Sequence, residues 1–234
     1  MSNFRFTRMD RFPPVVKNLI IINILVFVAQ LVFEKDLGVT AKIGLWPVES
    51  VHFNPYQVAT HMFAHSPQII FHILFNMFTL WMFGRVLENV CGPKRFLFFY
   101  LTCGVGAALA HLGVDYYQYR EIVTAINEFK AQGQDDLARQ LEDLPGYAVG
   151  ASGAVMGVMV AFAFLFPNTE LFIMFIPVPV KAKWAITGLV LLDLFGGITP
   201  TKGDNIAHFA HLGGALTGFL IVFFWNKTNR RTLY

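Results

Sequence analysis

Residues 148–167 read AVGASGAVMGVMVAFAFLFP, a run without a charged side chain whose one hydroxyl belongs to Ser152. A helix of that length is about 30 Å long at 1.5 Å per residue, enough to cross the hydrocarbon of a bilayer. Working outward, comparable apolar blocks lie at 14–33, 69–90, 95–112, 183–197 and 205–226. The 234 residues are 55% hydrophobic and 14% charged, where a soluble domain carries about a quarter charged residues. That composition excludes an ordinary soluble domain. Backbone at membrane depth has no water to bond, so each block is expected to be a helix. The expected fold is all-α, a polytopic membrane bundle of six transmembrane helices in one domain over 1–234.

The region between the fourth and fifth blocks, 168–182, is apolar but broken by Pro177 and Pro179 just after Pro167, and reads as a membrane-hugging loop. The first block follows Arg5, Arg8 and Arg11 but leads to no small-residue cleavage site, so it is expected to be retained. Cys91 and Cys103 sit at or inside apolar blocks, which argues against a structural disulfide.

Net charge is only +3, so its distribution says more than its total. With the N-terminus inside, six spans return the C-terminus inside. The inner segments then hold Arg5, Arg8, Arg11, Lys17, Arg85, Lys94, Arg95, Lys181, Lys183, Lys227, Arg230 and Arg231. The outer ones hold Lys35, Lys42, Arg120, Lys130, Arg139 and Lys202, so 12 inner and 6 outer residues account for all 18 Lys and Arg. Loop charge therefore favours both termini inside. The one long polar insertion, 113–147, carries seven acids, from Asp115 to Asp143. Its apolar residues Ile122, Ile126 and Phe129, then Leu137, Leu141 and Leu144, recur at helical spacing on either side of Gly133. Two short amphipathic helices lying on the outer surface are expected there.

Polar residues in a membrane are costly and mark function by default. Three groups stand out: His72 with Asn76, Ser152 within Gly150–Gly153, and His208 with His211. They lie near the starts of spans two, four and six, which all run from outside to inside. Their first turns therefore share one depth, and residues far apart in sequence can converge. Placement at opposite helix ends would have separated them by about 30 Å. The chemistry suits the placement. A serine hydroxyl needs an adjacent base to become a nucleophile, and histidine can take and return the proton near neutral pH. A tetrahedral intermediate needs donors aimed at its oxyanion. Ser152 opens a helix, where backbone N–H groups are free and the dipole is positive. His72 and Asn76, four apart, share a helix face and can both point at that oxyanion. Gly150 and Gly153 remove bulk on either side of the serine. Gly153/Gly157 and Gly214/Gly218 form G-x-x-x-G pairs that allow close backbone approach.

At these residues the sequence resembles the rhomboid intramembrane serine proteases, over nearly the whole chain. The shared elements are H-x-x-x-N at His72/Asn76, G-x-S-G at Gly150–Gly153, A-H-x-x-G-x-x-x-G at Ala210–Gly218, and G-x-x-x-E at Gly84/Glu88. The resemblance implies a serine endopeptidase with a Ser152–His211 dyad and no third acid. His211 is the base by register, standing three residues before Gly214, while His208 sits a turn nearer the outer surface. It implies oxyanion donors at His72, Asn76 and the Ser152 backbone. It also implies substrates that are transmembrane proteins, entering beside span five and cut near their outer ends. Two departures are visible. Tyr56-Gln57 stands where the first outer loop often has Trp with Arg or Gln. Met156 stands where some members carry Tyr under the histidine.

The second reading is a catalytically silent rhomboid-like membrane scaffold, although silent members typically lack the serine or the histidine. A small transporter would show inverted repeats, and none is visible. His61 and His65 are four apart, but no H-E-x-x-H exists and the carboxylates within the spans are Glu88 and Asp193, so neither a metal nor a cofactor is expected. Asp193 lies well inside the shortest span, at a depth that suits a structural hydrogen bond better than a third acid. Glu88 is expected to hold an inner loop against backbone. The expected partners are transmembrane proteins and lipid, not nucleic acid. The expected location is a prokaryotic cell inner membrane with both termini cytoplasmic.

Overall fold

The structure, a computed structural model, describes residues 10–142, 146–172, 178–199 and 207–228. Several residues invoked above lie outside them: Arg5, Arg8, Lys202, Arg230 and Arg231 of the charge count, Asp143 and Leu144 of the insertion, Pro177, and positions 205–206 of the sixth block.

The architecture is an all-α membrane bundle. Helix α1 (Pro14–Leu37) leads into the short helices α2 (Val39–Ile43) and α3 (Gln57–Thr60). Helices α4 (Ile70–Thr79) and α5 (Arg85–Cys91) are joined by a π-helical turn at Leu80–Gly84 into one continuous rod. Then come α6 (Pro93–Ala131), α7 (Asp135–Glu142), α8 (Ser152–Leu165), α9 (Ala182–Ile198) and α10 (His208–Thr228). A two-residue antiparallel ladder, Glu170–Leu171 against Val180–Lys181, closes the connection between α8 and α9. Four helices among the described residues are long and apolar enough to cross a membrane: Pro14–Leu37, Ile70–Cys91, Pro93–Ala131 and His208–Lys227. The other two expected spans are shorter, α8 with 14 residues and α9 with 17. A helix of α8's length covers about 21 Å, less than the roughly 30 Å hydrocarbon thickness, so length alone does not carry the count of six crossings.

The base of α1 shows why Gly84 and Glu88 stand four apart. The residue preceding α1, Pro13, provides no side-chain cap. Glu88, 2% exposed, instead brings its carboxylate to the first turn, where Val15 N–H and Val16 N–H donate to it at 2.9 and 2.8 Å. A Cβ on Gly84 would lie 3.1 Å from Val16, so the glycine permits this approach. Acceptors at a helix N-terminus satisfy orphan donors and favour the dipole. Glu88→Ala would strand the buried Val16 N–H and the part-buried Val15 N–H. It is expected to cost about 3 kcal/mol, read as a lower unfolding midpoint in detergent, with Glu88→Gln costing less.

The insertion departs from expectation. No break follows the third block, and α6 continues for 39 residues, about 58 Å. Its second half is the first of the expected amphipathic helices, extending from the span rather than lying as a separate surface element. Extending a helix costs far less than nucleating a new one, and no proline interrupts 113–131. The helix stops at Gly133 (φ +70), whose neighbour Gln134 N–H donates to Phe129 O at 2.9 Å. Helix α7 folds back on α6, burying Ala138, with Lys130 Nζ 2.7 Å from Glu142 Oε1.

The first loop is built from buried polar residues. Gln30 of α1 donates to Thr40 Oγ1 and His65 O and accepts from His65 N–H. Gln57, 1% exposed, accepts from Trp46 N–H and Asn54 N–H and donates to Lys42 O and His52 O. Loop one in turn holds the approach to α8: Leu45 and Ala148 exchange backbone hydrogen bonds of 2.8 and 2.9 Å, and Gly150 N–H donates to His61 O at 3.0 Å.

Candidate active site

Ser152 is the first residue of α8, and no side chain caps that helix start. The chain ahead of it is tied to loop one. Gly150 carries the turn, at φ +138, where an L side chain is strained. Helices α6, α8 and α10 meet through small residues. A Cβ on Gly214 would collide with the Gly153 carbonyl, and one on Gly218 would lie 2.6 Å from Gly157 O. The two G-x-x-x-G pairs therefore oppose each other backbone to backbone, which lets a short serine side chain and an imidazole on separate helices touch.

They do touch. His211 Nε2 lies 2.8 Å from Ser152 Oγ. His208 does not point there; its Nδ1 lies 2.8 Å from Asp193 Oδ1. The same carboxylate oxygen lies 2.9 Å from His211 Nδ1. The depth assigned to Asp193 from the sequence therefore needs correcting. Span five runs toward the site face, so depth counts back from its end at Ile198. Five residues at 1.5 Å place Asp193 about 7.5 Å below that end, level with the other site residues. The hydrogen bond expected of Asp193 exists, and it is made to the histidines. Counting from the correct helix end was the available signal.

His72 and Asn76 reach the same place. A Cβ built on Gly150 would lie 2.9 Å from His72 Nε2 and 3.3 Å from Ser152 Oγ. His72 Nδ1 is approached by Ser66 N–H at 3.4 Å. A nitrogen that accepts leaves the proton on the other one, so His72 Nε2–H is the donor facing the serine. Asn76 Nδ2 gives one hydrogen to His72 O at 2.8 Å and has a second. These residues line a cleft of about 780 Å³ with Ser152 and His211. Beside His72 and Asn76 on α4, Phe71 and Phe75 also line it, 60% and 49% exposed on the bundle surface.

The other histidines do different work. His61 Nδ1 pairs with Gln57 O at 3.0 Å, and His65 packs edge-on against His72 at 5.1 Å between centroids. Among the described residues, no three His, Cys, Asp or Glu are grouped to hold a metal. Both histidines precede α4, outside the long helices. Burial pushes His61 down to about 4 and His65, with His72 beside it, to about 3. Folded-state values below the ordinary 6.5 mean that stability is full above that pH and is lost as pH falls toward 4. The unfolding midpoint is expected to drop across that window; a flat profile there would count against neutral burial of the pair. Met156, where some rhomboids have Tyr, is buried one turn below Ser152. The ring of His211 is held instead through its far nitrogen, by Asp193.

A part-buried serine–imidazole contact therefore lies within a membrane bundle packed on small residues. The Rhomboid domain model matches residues 52–227, and the chain belongs to the rhomboid family. It is similar to Rhomboid protein 1, mitochondrial, of Saccharomyces cerevisiae, 27% identical over 70% of this chain and 40% of that protein. It is also similar to RHOMBOID-like protein 12, mitochondrial, of Arabidopsis thaliana, 32% identical over 86% of this chain and 55% of that protein. The human presenilin-associated rhomboid-like protein, mitochondrial, is 28% identical over 88% of this chain and 47% of that protein. The chain spans about half the length of these relatives. Rhomboids are, as a family, intramembrane serine proteases. The expected location is overturned by the same comparison. The relatives are mitochondrial by name, so a prokaryotic cell inner membrane does not stand, while membrane association does.

Proposed function

We propose that this chain is a serine endopeptidase that cleaves transmembrane protein substrates near the bilayer face at which α4, α8 and α10 begin. The observation that carries the reading is the 2.8 Å contact between Ser152 Oγ and His211 Nε2 in the lining of a cleft. Ser152 Oγ attacks a substrate carbonyl carbon while its proton passes to His211 Nε2. The oxyanion that forms is met by His72 Nε2–H, the free Asn76 Nδ2–H and the Ser152 backbone N–H at the start of α8. His211 then returns the proton to the departing amine, leaving an acyl-serine. Water attacks that ester, again with His211 as base, and restores Ser152. The exposed Phe71 and Phe75 wall supports a substrate that arrives from lipid rather than from water.

The test uses the purified chain in proteoliposomes with a single-span protein substrate and a fluorophosphonate probe. Wild type is expected to cleave and to be labelled, and Ser152→Ala to do neither. Absence of labelling and cleavage in wild type would support a silent scaffold instead.

A further inference from the structure

Helices α9 and α10 approach closely through glycine. A Cβ on Gly196 would lie 2.5 Å from His208 Cε1, and one on Gly197 would lie 3.1 Å from the Phe209 ring. Asp193, one turn before Gly196, is thereby brought against the first turn of α10. It is 9% exposed. A carboxylate buried to that degree needs donors close by, because an uncompensated charge in a low-dielectric interior is costly. Its Oδ1 has two within reach, His208 Nδ1 at 2.8 Å and His211 Nδ1 at 2.9 Å.

An ionised carboxylate only accepts, so both imidazoles present Nδ1–H to it. For His211 this decides which nitrogen faces Ser152. With the proton on Nδ1, the lone pair is on Nε2, the one atom in contact with Ser152 Oγ. The opposite tautomer would present Nε2–H to the serine and could not take its proton. Carboxylates behind ligating or catalytic histidines act this way generally, setting tautomer, ring orientation and basicity.

We infer that Asp193 is a positioning residue for His211, extending the serine–histidine pair to a Ser152–His211–Asp193 chain, and that His208 anchors the carboxylate by sharing its oxygen. The inference rests on the serine protease reading above. The proton balance is closed without Asp193 changing state. Ser152 loses a proton, His211 Nε2 gains it, and the imidazolium is held 2.9 Å from a carboxylate that stays ionised. His208 keeps Oδ1 aimed at the ring through the cycle. The backbone spacing at Gly196 is what allows the second imidazole to fit.

The experiment measures kcat and KM for the single-span substrate with Asp193→Asn, Asp193→Glu and His208→Asn in the full chain. Asp193→Asn keeps the shape but offers an amide that can turn its donor to His211. Its kcat is expected to fall by up to about 10⁴-fold, the loss the same exchange causes in a soluble serine protease, with KM within about twofold. Asp193→Glu is expected to recover at least tenfold of that loss by restoring a carboxylate. His208→Asn is expected to lower kcat by about tenfold. An Asp193→Asn enzyme with kcat within twofold of wild type would overturn the inference, and so would equal losses for Asn and Glu or a loss confined to KM. Ser152→Ala separates the two levels. Cleavage that persists without the serine sinks the protease reading itself, whereas a dead Ser152→Ala beside a fully active Asp193→Asn sinks only the role of Asp193.

Discussion

His211→Ala is expected to reduce kcat by about 10⁴–10⁶-fold, to the level left by binding and oxyanion donors alone. The magnitude follows from the cooperative nature of nucleophile and base: in serine proteases generally, losing either one costs about as much as losing both. His208→Ala is the informative partner, because two histidines a turn apart both reach Asp193 Oδ1 and only one of them contacts Ser152 Oγ. Removing His208 leaves that contact in place and takes away one of two donors to a carboxylate, so its effect is expected to be smaller by at least two orders of magnitude. Single-turnover cleavage of a saturating substrate reads the difference without interference from product release. Comparable losses in the two variants would mean that the imidazole in contact with the serine is not the base.

The second large effect concerns folding. Gly214→Leu is expected to destabilise the bundle by at least about 3 kcal/mol and to abolish activity together with stability. Even a methyl at Gly214 would overlap the Gly153 carbonyl, and the next pair along, Gly218 against Gly157 O, is almost as close. Backbone cannot move aside as a flexible side chain can. Helices α8 and α10 would have to separate by an ångström or more, and Ser152 sits one residue from Gly153. The check is a denaturant or thermal unfolding curve in detergent. Gly188, with nothing within 4 Å of its Cβ position, serves as control: Gly188→Leu is expected to change stability little. Similar losses at both positions would show that α8 and α10 do not pack on these glycines.

Particular elements show where reading the chain in one dimension succeeded. The apolar blocks became helices because burial in lipid leaves the backbone few alternatives. His72, Asn76, Ser152 and the pair His208 and His211 were legible because three helices starting at one face share a depth, a consequence of counting rather than packing. Gly84 and Glu88 were visible as a pair, but the cap they provide to α1 involves residues more than seventy positions away. The long α6 was missed because a polar composition reads as a surface element, while helix propagation ignores the change from lipid to water as long as no breaker intervenes. The packing of loop one could not be read, since Gln30, Gln57 and Leu45 take their partners from distant segments.

The sequence by itself determined the membrane-helical class, the shared depth of the polar residues at the starts of α4, α8 and α10, and the glycine faces, because these depend on hydropathy, rise per residue and side-chain size. The resemblance put His211 rather than His208 at the serine, but only the tertiary structure shows the contact itself and that Asp193 stands behind it. Those facts turn on the rotation and spacing of α9 against α10 and of α10 against α8, and a one-turn difference between His208 and His211 is resolved only when the facing backbones are in contact.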